Sequence, residues 1–242
     1  MDAQVEQTKM MSDRLIVLSD LHGSYLTMLA LLARYPNHQP IFLGDLIDRG
    51  PRSREVVGYA MTNKIPTCLG NHCDLVLAYS AHAKLGYRAK CSSYYDRDVW
   101  LHNGGDKALE SWGLHRGQPL PKTVLEWIVN LPPYIIPDVE QVNGRKLFLS
   151  HTGYGLDADQ NNWLRALWGR YPDDGEFAYE KGTGKSIHDG WFRVFGHTRC
   201  KQAIVTPSYV NIDTGCAYKG YGVLSAFLWP EMMVVTQESV DD

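Results

Sequence analysis

Short apolar runs alternate with longer amphipathic stretches over the first third of the chain. The apolar runs predict three β-strands, Leu15–Leu18, Ile41–Leu43 and Thr67–Leu69. The amphipathic stretches between and after them predict three helices: Ser24–Tyr35, Ser53–Lys64 and Asp74–Lys84. This regular succession of strand and helix is typical of parallel βαβ units. In such sheets, ligands bind beyond the carboxyl ends of the strands.

The middle of the chain is less regular. Gly86–Gly117 is rich in Tyr, Trp, Arg and Asp, and we interpret residues 86–117 as an insertion over the binding edge. Gly155–Gly190 is mostly polar and predicts a loop. A short helix is predicted within the first of these segments, at Asp106–Trp112. Between the two segments the pattern predicts a helix at Pro121–Asn130 and strands at Tyr134–Ile136 and Lys146–Leu149.

The last part of the chain predicts five more strands, antiparallel to one another in the simplest arrangement. They are Arg193–Phe195, Ala203–Val205, Val210–Ile212, Gly222–Leu228 and Met232–Thr236. The whole pattern predicts a mixed α/β fold in which one mixed sheet packs against a second sheet, with helices outside. We expect a single domain over residues 1–242, with a flexible polar N-terminus at 1–13.

Polar clusters follow the apolar runs. Asp20 and His22 follow the first strand, Asp45 the second and Asn71 the third, and His151 and His197 follow two later runs. Carboxylate, imidazole and amide groups are the ligands that hard divalent metals bind, and two adjacent ions can share a bridging carboxylate. The spacing therefore predicts a site for two ions, with Asp45 between them. Asp20 and His22 are expected on one ion, with Asn71, His151 and His197 on the other.

Composition narrows the range of partners and compartments. The formal net charge of −3 and the scattered Lys and Arg residues argue against a protein that coats nucleic acid. The five cysteines form no CxxC pair, which is typical of free thiols in a reducing compartment. The N-terminus has no apolar signal-peptide core and no run is long enough to cross a membrane, so we expect a cytoplasmic protein without a membrane partner.

The pattern DxHG, then GDxxDRG, then GNH and two later histidines resembles the calcineurin-like metallophosphoesterases from about Leu15 to Val235. It is similar, more narrowly, to the PPP branch of serine/threonine phosphatases in its bacterial and bacteriophage form. The resemblance implies a β-sandwich of two mixed sheets flanked by helices, with the active site at the strand ends. It also implies that Asp20, His22 and Asp45 hold one metal, and that Asp45, Asn71, His151 and His197 hold the other. The family commonly uses manganese and sometimes iron or zinc.

The resemblance also implies a phosphate-binding side. Arg49 matches the family's phosphate-clamping arginine, whose fork suits two phosphate oxygens. Arg170 resembles a second clamp, with Arg165 or Arg193 as alternatives and an exposed loop arginine as the plain interpretation.

The resemblance also assigns a proton donor. His72 corresponds to the residue that protonates the leaving oxygen, and Asp48 to the acid that orients it. Asn71 and His72 are also expected to contact the phosphate. Cys73 stands where family members usually have Glu; this position is not a metal ligand in the family pattern, so we expect catalysis to survive the difference. Thr152 replaces a Gly or Ala, and its small hydroxyl is expected to be tolerated.

The predicted activity is hydrolysis of phosphoserine and phosphothreonine in proteins by in-line attack of a hydroxide that bridges the metals. The first alternative is a symmetrical diadenosine-tetraphosphate hydrolase, a relative with the same dinuclear metal chemistry. Its second motif usually reads GDLVARG, without an acid at the position of Asp48, and this favours the phosphatase. Yet Gly50-Pro51 and Trp100 with Asn103-Gly104-Gly105 also resemble that relative.

Two further alternatives differ in class. Phosphodiesterases and nucleases of this family generally lack the clamp that Arg49 resembles. A non-catalytic scaffold conflicts with the intact set of predicted ligands. The segment Lys181–Ser186 resembles part of a P-loop, but it lacks the first glycine and follows no buried strand, so we do not interpret it as a nucleotide-binding loop.

Several polar and aromatic residues near the motifs are harder to assign. Asp213 is interpreted first as a structural turn residue. Two roles are open for Tyr94, Tyr95 and Trp100: they line a substrate groove, or they pack over the sheet. Tyr218 and Tyr221 are better candidates for the rim of a pocket.

Overall fold

A computed structural model of the protein describes residues 8–81, 98–154, 163–170, 190–218, 220 and 222–241. Its strands are β1 (Leu15–Leu18), β2 (Gln39–Phe42), β3 (Tyr134–Ile135), β4 (Lys146–Ser150), β5 (Trp191–Phe195), β6 (Ile204–Val205), β7 (Tyr209–Asn211), β8 (Val223–Trp229) and β9 (Met233–Glu238). Its α-helices are α1 (Tyr25–Ala33), α2 (Ser53–Thr62), α3 (Asn71–Ala81), α4 (Asp106–Ser111), α5 (Lys122–Val129) and α6 (Trp163–Trp168). A π-helical turn over Leu101–Gly105 leads directly into α4.

The strands form two mixed sheets. The first has the order β2-β1-β8-β9, in which β1 is parallel to β2 and antiparallel to β8. The second has the order β3-β4-β5-β7-β6, in which β4, β5 and β7 are parallel. The chain thus has the mixed α/β fold, with two mixed sheets and flanking helices, that its sequence predicts.

Strand β1 shows why its apolar run is unbroken. Leu15 and Val17 pack into the core between the two sheets, whereas Ile16 and Leu18 pack into the core beneath the helices. All four side chains are fully buried because both faces of the first sheet are covered. The ends of β1 and β2 are thereby fixed in a rigid layer, and the loops that follow them start from fixed positions.

Two predictions about the strands are wrong. Thr67–Leu69 forms a single bridge between Thr67 and Phe42 rather than a strand. The reason is that the amide of Leu69 donates to Pro132 O, away from the sheet. The later strands are not all antiparallel, since β5 and β7 run parallel. Strand β6 lies between β5 and β7 in the sequence and is antiparallel to β7. The chain has therefore reversed direction before β7 pairs with β5.

Other elements differ less from the prediction. Helix α6 lies in the segment that is predicted to be loop, and it begins after residues outside the described ranges. Within the N-terminal segment 1–13, Thr8 exchanges backbone hydrogen bonds with Ile136 and Asp138. No helix among the described residues combines the length and the apolar character that a membrane span requires. Tyr94, Tyr95, Tyr221 and the segment 181–186 lie outside the described residues.

Replacing Phe227 with alanine should lower the free energy of unfolding by about 3–5 kcal/mol, because a fully buried ring is lost between the sheets. The ring of Phe227 stacks on that of Phe192 with centroids 5.6 Å apart. Met233→Ala on the neighbouring strand is the control, since Met233 is 55% exposed and its loss should cost less than about 0.5 kcal/mol. Equilibrium urea denaturation measures both. Equal losses for the two variants would contradict the assigned core.

Candidate dinuclear metal centre

The loops that follow the strands bring the predicted metal ligands to one edge of the fold. The amide of His22 donates to Asp45 O at 2.9 Å, which ties the loop after β1 to the loop after β2. The amide of Gly196 donates to His151 O at 3.0 Å, which ties the loops after β4 and β5. The amide of His197 then donates to Asp20 Oδ2 at 2.9 Å and joins the two pairs of loops.

The backbone of these loops is unusual. Nine non-glycine residues in the described part of the chain have positive φ angles, and six of them are predicted site residues with φ between 41° and 77°. These six are Asp20, His22, Asp45, Asp48, Arg49 and His197. Such a conformation is uncommon for residues with a Cβ, and it persists where the surrounding structure enforces it. The clustering supports this edge as the candidate functional site.

Asp45 lies at the centre of the site. Its Oδ2 is 3.4 Å from His151 Nε2, 3.8 Å from His22 Nε2 and 3.9 Å from His72 Nε2. Burial alone would raise the pKa of Asp45, but the surrounding imidazoles, His151 first, hold that pKa below its usual value. The carboxylate therefore stays ionised and faces histidines on both sides, as a bridging ligand would.

The half of the site around His151 has the donor set of a cation site. His151 Nδ1 donates to Leu43 O at 2.8 Å, so in the neutral ring the lone pair is on Nε2. That nitrogen is 2.9 Å from Asn71 Oδ1, which is also an acceptor. Burial lowers the pKa of His151, so protonation of the ring is disfavoured. A divalent cation would satisfy both acceptors, and the ligand atoms of Asp45, His151 and His197 lie within 4.8 Å of one another.

The other half of the site already accommodates a positive charge. His22 Nδ1 donates to Ile47 O at 2.7 Å, and Arg49 Nη1 lies 2.7 Å from His22 Nε2. Arg49 Nη2 lies 3.0 Å from His72 Nε2, so the guanidinium spans the two rings. Burial, followed by the charge of Arg49, lowers the pKa of His22 well below its usual value. The space between His22, Asp45 and His72 therefore suits a cation, and these three residues also form a group that could hold a metal.

Asp20 is placed less directly than predicted. Its Oδ1 is 3.9 Å from His22 Nε2, while its Oδ2 accepts hydrogen bonds from Ser19 Oγ at 2.5 Å and from the amide of His197. Burial, with the nearby charges of Asp213 and Asp45, raises the pKa of Asp20. A bound cation would offset this repulsion and favour the ionised carboxylate.

His72 is held by Asp48. The Nδ1 of His72 donates to Asp48 Oδ2 at 2.5 Å. The indole Nε1 of Trp100 donates to the same carboxylate and lies 2.9 Å from Asp48 Oδ1 and 3.0 Å from Asp48 Oδ2. Burial raises the pKa of Asp48 to about 6. The sequence predicts Trp100 as a groove or packing residue and as part of a segment that resembles the symmetrical hydrolase. It does not predict the hydrogen bond to Asp48, because that bond depends on a contact between residues 52 positions apart.

The structure separates the candidate arginines. Arg165 stacks on the Tyr154 ring at 4.2 Å, and Arg193 is buried and donates to Gly153 O at 3.0 Å. Arg170 is exposed and close enough to His197 to contribute, after burial and His151, to lowering the pKa of His197 to about 3. Of the three, Arg170 thus has the most accessible guanidinium near the predicted ligands.

Thr152 and Cys73 are the two residues that depart from the family pattern, and their contacts, like those of Asp213, indicate structural roles. Thr152 Oγ1 donates to Ala166 O at 2.9 Å and so ties the loop after β4 to α6. Cys73 is buried and its thiol pKa is raised by that burial, which disfavours a nucleophilic thiolate. Asp213 Oδ1 accepts from the amide of Gly215 at 3.0 Å, as a turn residue does.

Two motif glycines allow the close approach of the ligand loops. A Cβ on Gly70 would lie 2.2 Å from Asp45 Oδ1, and a Cβ on Gly196 would lie 2.1 Å from Asp20 Oδ2. Neither side chain can move away without breaking the contacts described above. The glycines are therefore needed for the geometry of the carboxylates.

Gly196→Ala should weaken binding of Mn²⁺ by about 10-fold or more, because the added Cβ displaces Asp20. Calorimetric titration of the metal-free protein with Mn²⁺ measures this without any assay of activity. Gly58→Ala is the control, since Gly58 lies in α2 and a methyl group added there would have nothing within 4 Å. It should leave metal affinity unchanged and stabilise the fold by about 0.5–1 kcal/mol. Equal metal affinity of both variants would contradict a role for Asp20 in the site.

Curated relatives align with nearly the whole chain. The bis(5′-nucleosyl)-tetraphosphatase PrpE, asymmetrical, of Anoxybacillus flavithermus is 26% identical, with 92% of this chain and 93% of the relative covered. The protein of the same name from Bacillus subtilis is also 26% identical, over 92% of this chain and 93% of its own length.

Solved structures share the fold. The "crystal structure of a putative diadenosine tetraphosphatase" superposes with a TM-score of 0.60 at 18% identity, covering 96% of this chain and 97% of the other. A cold-active protein-tyrosine phosphatase from a Shewanella species gives a TM-score of 0.54 at 16% identity, over 95% and 83% of the two chains.

A family model for the calcineurin-like phosphoesterases matches residues 13–201. This range includes every predicted metal ligand, from Asp20 to His197. Because the match extends over well more than half of the sequence, the chain belongs to the calcineurin-like phosphoesterase family.

Proposed function

We propose that this metallophosphoesterase hydrolyses dinucleoside tetraphosphates asymmetrically, to a nucleoside triphosphate and a nucleoside monophosphate. The names of the curated relatives support this substrate and this mode of cleavage. They agree better with the dinucleotide alternative of the sequence analysis than with its protein-phosphatase prediction. They also favour asymmetrical cleavage over the symmetrical cleavage that the alternative specified.

One observation of the structure carries the proposal. Arg49 contacts His22 and His72 in the candidate metal centre, and it also lines two cavities beside that centre. A substrate phosphate bound at Arg49 would therefore have room on either side for the groups attached to it. A substrate whose reacting phosphate carries a large group on each side needs this room, as in a phosphate chain between two nucleosides. A simple phosphomonoester needs it less.

The donor set supports the cofactor that we propose. Carboxylate, amide and imidazole ligands suit two Mn²⁺ ions, with iron or zinc as alternatives. Two such ions would polarise the phosphoryl oxygens and activate a water molecule. Asp45 would face both ions, with Asp20 and His22 on one of them and Asn71, His151 and His197 on the other.

The remaining site residues orient the substrate and supply a proton. The fork of Arg49 would bind two phosphoryl oxygens, and Arg170 is the second proposed clamp. Asn71 and His72 would contact the same phosphate. His72, oriented by Asp48 and Trp100, would donate a proton to the leaving oxygen from Nε2.

Hydrolysis of phosphoserine and phosphothreonine is the second candidate function, and the His72–Asp48 pair favours it. A serine or threonine alkoxide is strongly basic and must be protonated as it leaves. The terminal phosphate of a nucleoside triphosphate is a much weaker base and needs less help. A buried, doubly supported proton donor is therefore of most use with an alkoxide leaving group.

Product analysis tests the main proposal. With Mn²⁺ and diadenosine tetraphosphate, we expect equal amounts of ATP and AMP to appear by ion-exchange chromatography. A phosphoserine peptide assayed under the same conditions should have a lower kcat/KM. Formation of ADP alone would show symmetrical cleavage, and a higher kcat/KM for the peptide would favour the protein phosphatase.

His72→Asn should affect the two substrate classes differently. Loss of the proton donor should lower kcat on a phosphoserine peptide by about 10²–10⁴-fold. The loss on diadenosine tetraphosphate should be smaller, because its leaving group requires little protonation. Rates for both substrates under saturating conditions give the comparison, and p-nitrophenyl phosphate provides a third, weakly basic leaving group. Equal losses for all three substrates would contradict the role of proton donor.

A further inference from the structure

Two cavities adjoin the candidate metal centre. The larger has a volume of about 680 Å³ and the smaller about 400 Å³. Both are lined by Arg49, Ala217 and Tyr218, so they meet at a common rim. Each volume lies in the range of about 300–1,000 Å³ that is typical of small-molecule sites. A ligand whose phosphate is bound at Arg49 can therefore extend in two directions.

The walls of the larger cavity carry carboxylates. Glu110, Glu238 and Asp241 line it. Lys107 is paired with Glu110 at 2.7 Å, and Asp241 already accepts from the amides of Leu26 and Thr27, so Glu238 is the carboxylate best placed to meet a ligand. Carboxylates repel a phosphate chain and accept hydrogen bonds from hydroxyl and amino groups. Ser239 on the same wall adds a hydroxyl group. The larger cavity thus fits a neutral group with several donors, such as the sugar and base of a nucleoside.

The smaller cavity has a different chemistry. Besides the shared rim it is lined by His102, Asn103 and Gly104, and no carboxylate is among its described lining residues. Arg49 is its charged group. Because no described carboxylate stands against Arg49 there, this lining favours a polyanion more than the lining of the larger cavity does.

Tyr218 provides a flat apolar surface at the junction. Its side chain is 37% exposed and lines both cavities. The guanidinium of Arg199 lies 4.5 Å from the ring centroid and so restricts the orientation of the ring. Aromatic rings of this kind stack on any nucleobase, because every base presents a π-face.

We infer that the larger cavity is a nucleoside subsite, with Tyr218 as the surface against which the base packs. The phosphate next to that nucleoside binds at Arg49, and the rest of the phosphate chain extends into the smaller cavity. The inference rests on the proposed function and refines it, because it assigns the nucleoside monophosphate half of the substrate to the larger cavity. The triphosphate half leaves through the smaller one.

Glu238→Trp tests the subsite, because Glu238 lines only the larger of the two cavities and the indole would take up part of its space and remove a carboxylate from its wall. Met233→Trp is the matched control on the same strand, since Met233 is 55% exposed and lines neither cavity. In metal-loaded protein, Glu238→Trp should weaken AMP binding, measured by calorimetry, by about 10-fold or more. It should also lower kcat/KM for diadenosine tetraphosphate much more than for p-nitrophenyl phosphate. Met233→Trp should change neither quantity.

Tyr218→Ala should weaken AMP binding to a similar extent, while Tyr218→Phe keeps the ring and should retain most of the affinity. If both Glu238→Trp and Tyr218→Ala bind AMP as the control does, the subsite is wrong even if the dinucleotide is cleaved. If the wild-type protein does not cleave the dinucleotide but loses AMP binding in these two variants, the proposed function is wrong and the subsite stands.

Discussion

The buried carboxylate of Asp45 is the group on which the arrangement of the site depends. Burial opposes its negative charge, and three histidines offset that effect by surrounding it at 3.4–3.9 Å. They lie in the loops after β1 and β4 and in the first turn of α3, so this charge balance requires that these parts of the fold meet at the end of β2. The facing acceptors of Asn71 and His151 leave a place for a cation in the same cluster. The fold and the chemistry are thus linked through one carboxylate.

The loops bear a conformational cost that the rest of the fold must offset. Each residue held in a sparsely populated backbone region costs about 1–3 kcal/mol, and six predicted site residues have positive φ. The two-sided burial of β1 and the packing between the sheets provide the compensating stability. Rigid strand ends also limit how far the loops can relax, so the candidate ligands are held close together.

Substrate choice depends on features outside the cluster of ligands. The centre itself would serve a phosphomonoester and a phosphate chain equally well, since both present a phosphoryl group to Arg49. The His72–Asp48–Trp100 arrangement matters most for a basic leaving group, whereas the two cavities matter most for a substrate with large groups on both sides of the phosphate. Relatives of one family can therefore differ in substrate while they keep the same centre.

The sequence by itself predicted most of the local elements and supplied the candidate site residues. The unbroken apolar run of β1 indicated a strand covered on both faces, and the polar residues after each run indicated which edge would carry the site. It did not determine that β5 and β7 are parallel, that Thr67–Leu69 makes only one bridge, or that Trp100 donates to Asp48. Nor did it indicate the two cavities that meet at Arg49 and Tyr218. Hydrophobic periodicity reports which side of an element is buried, but strand direction, side-chain partners and cavities arise from contacts between distant parts of the chain, and only the tertiary structure decides them.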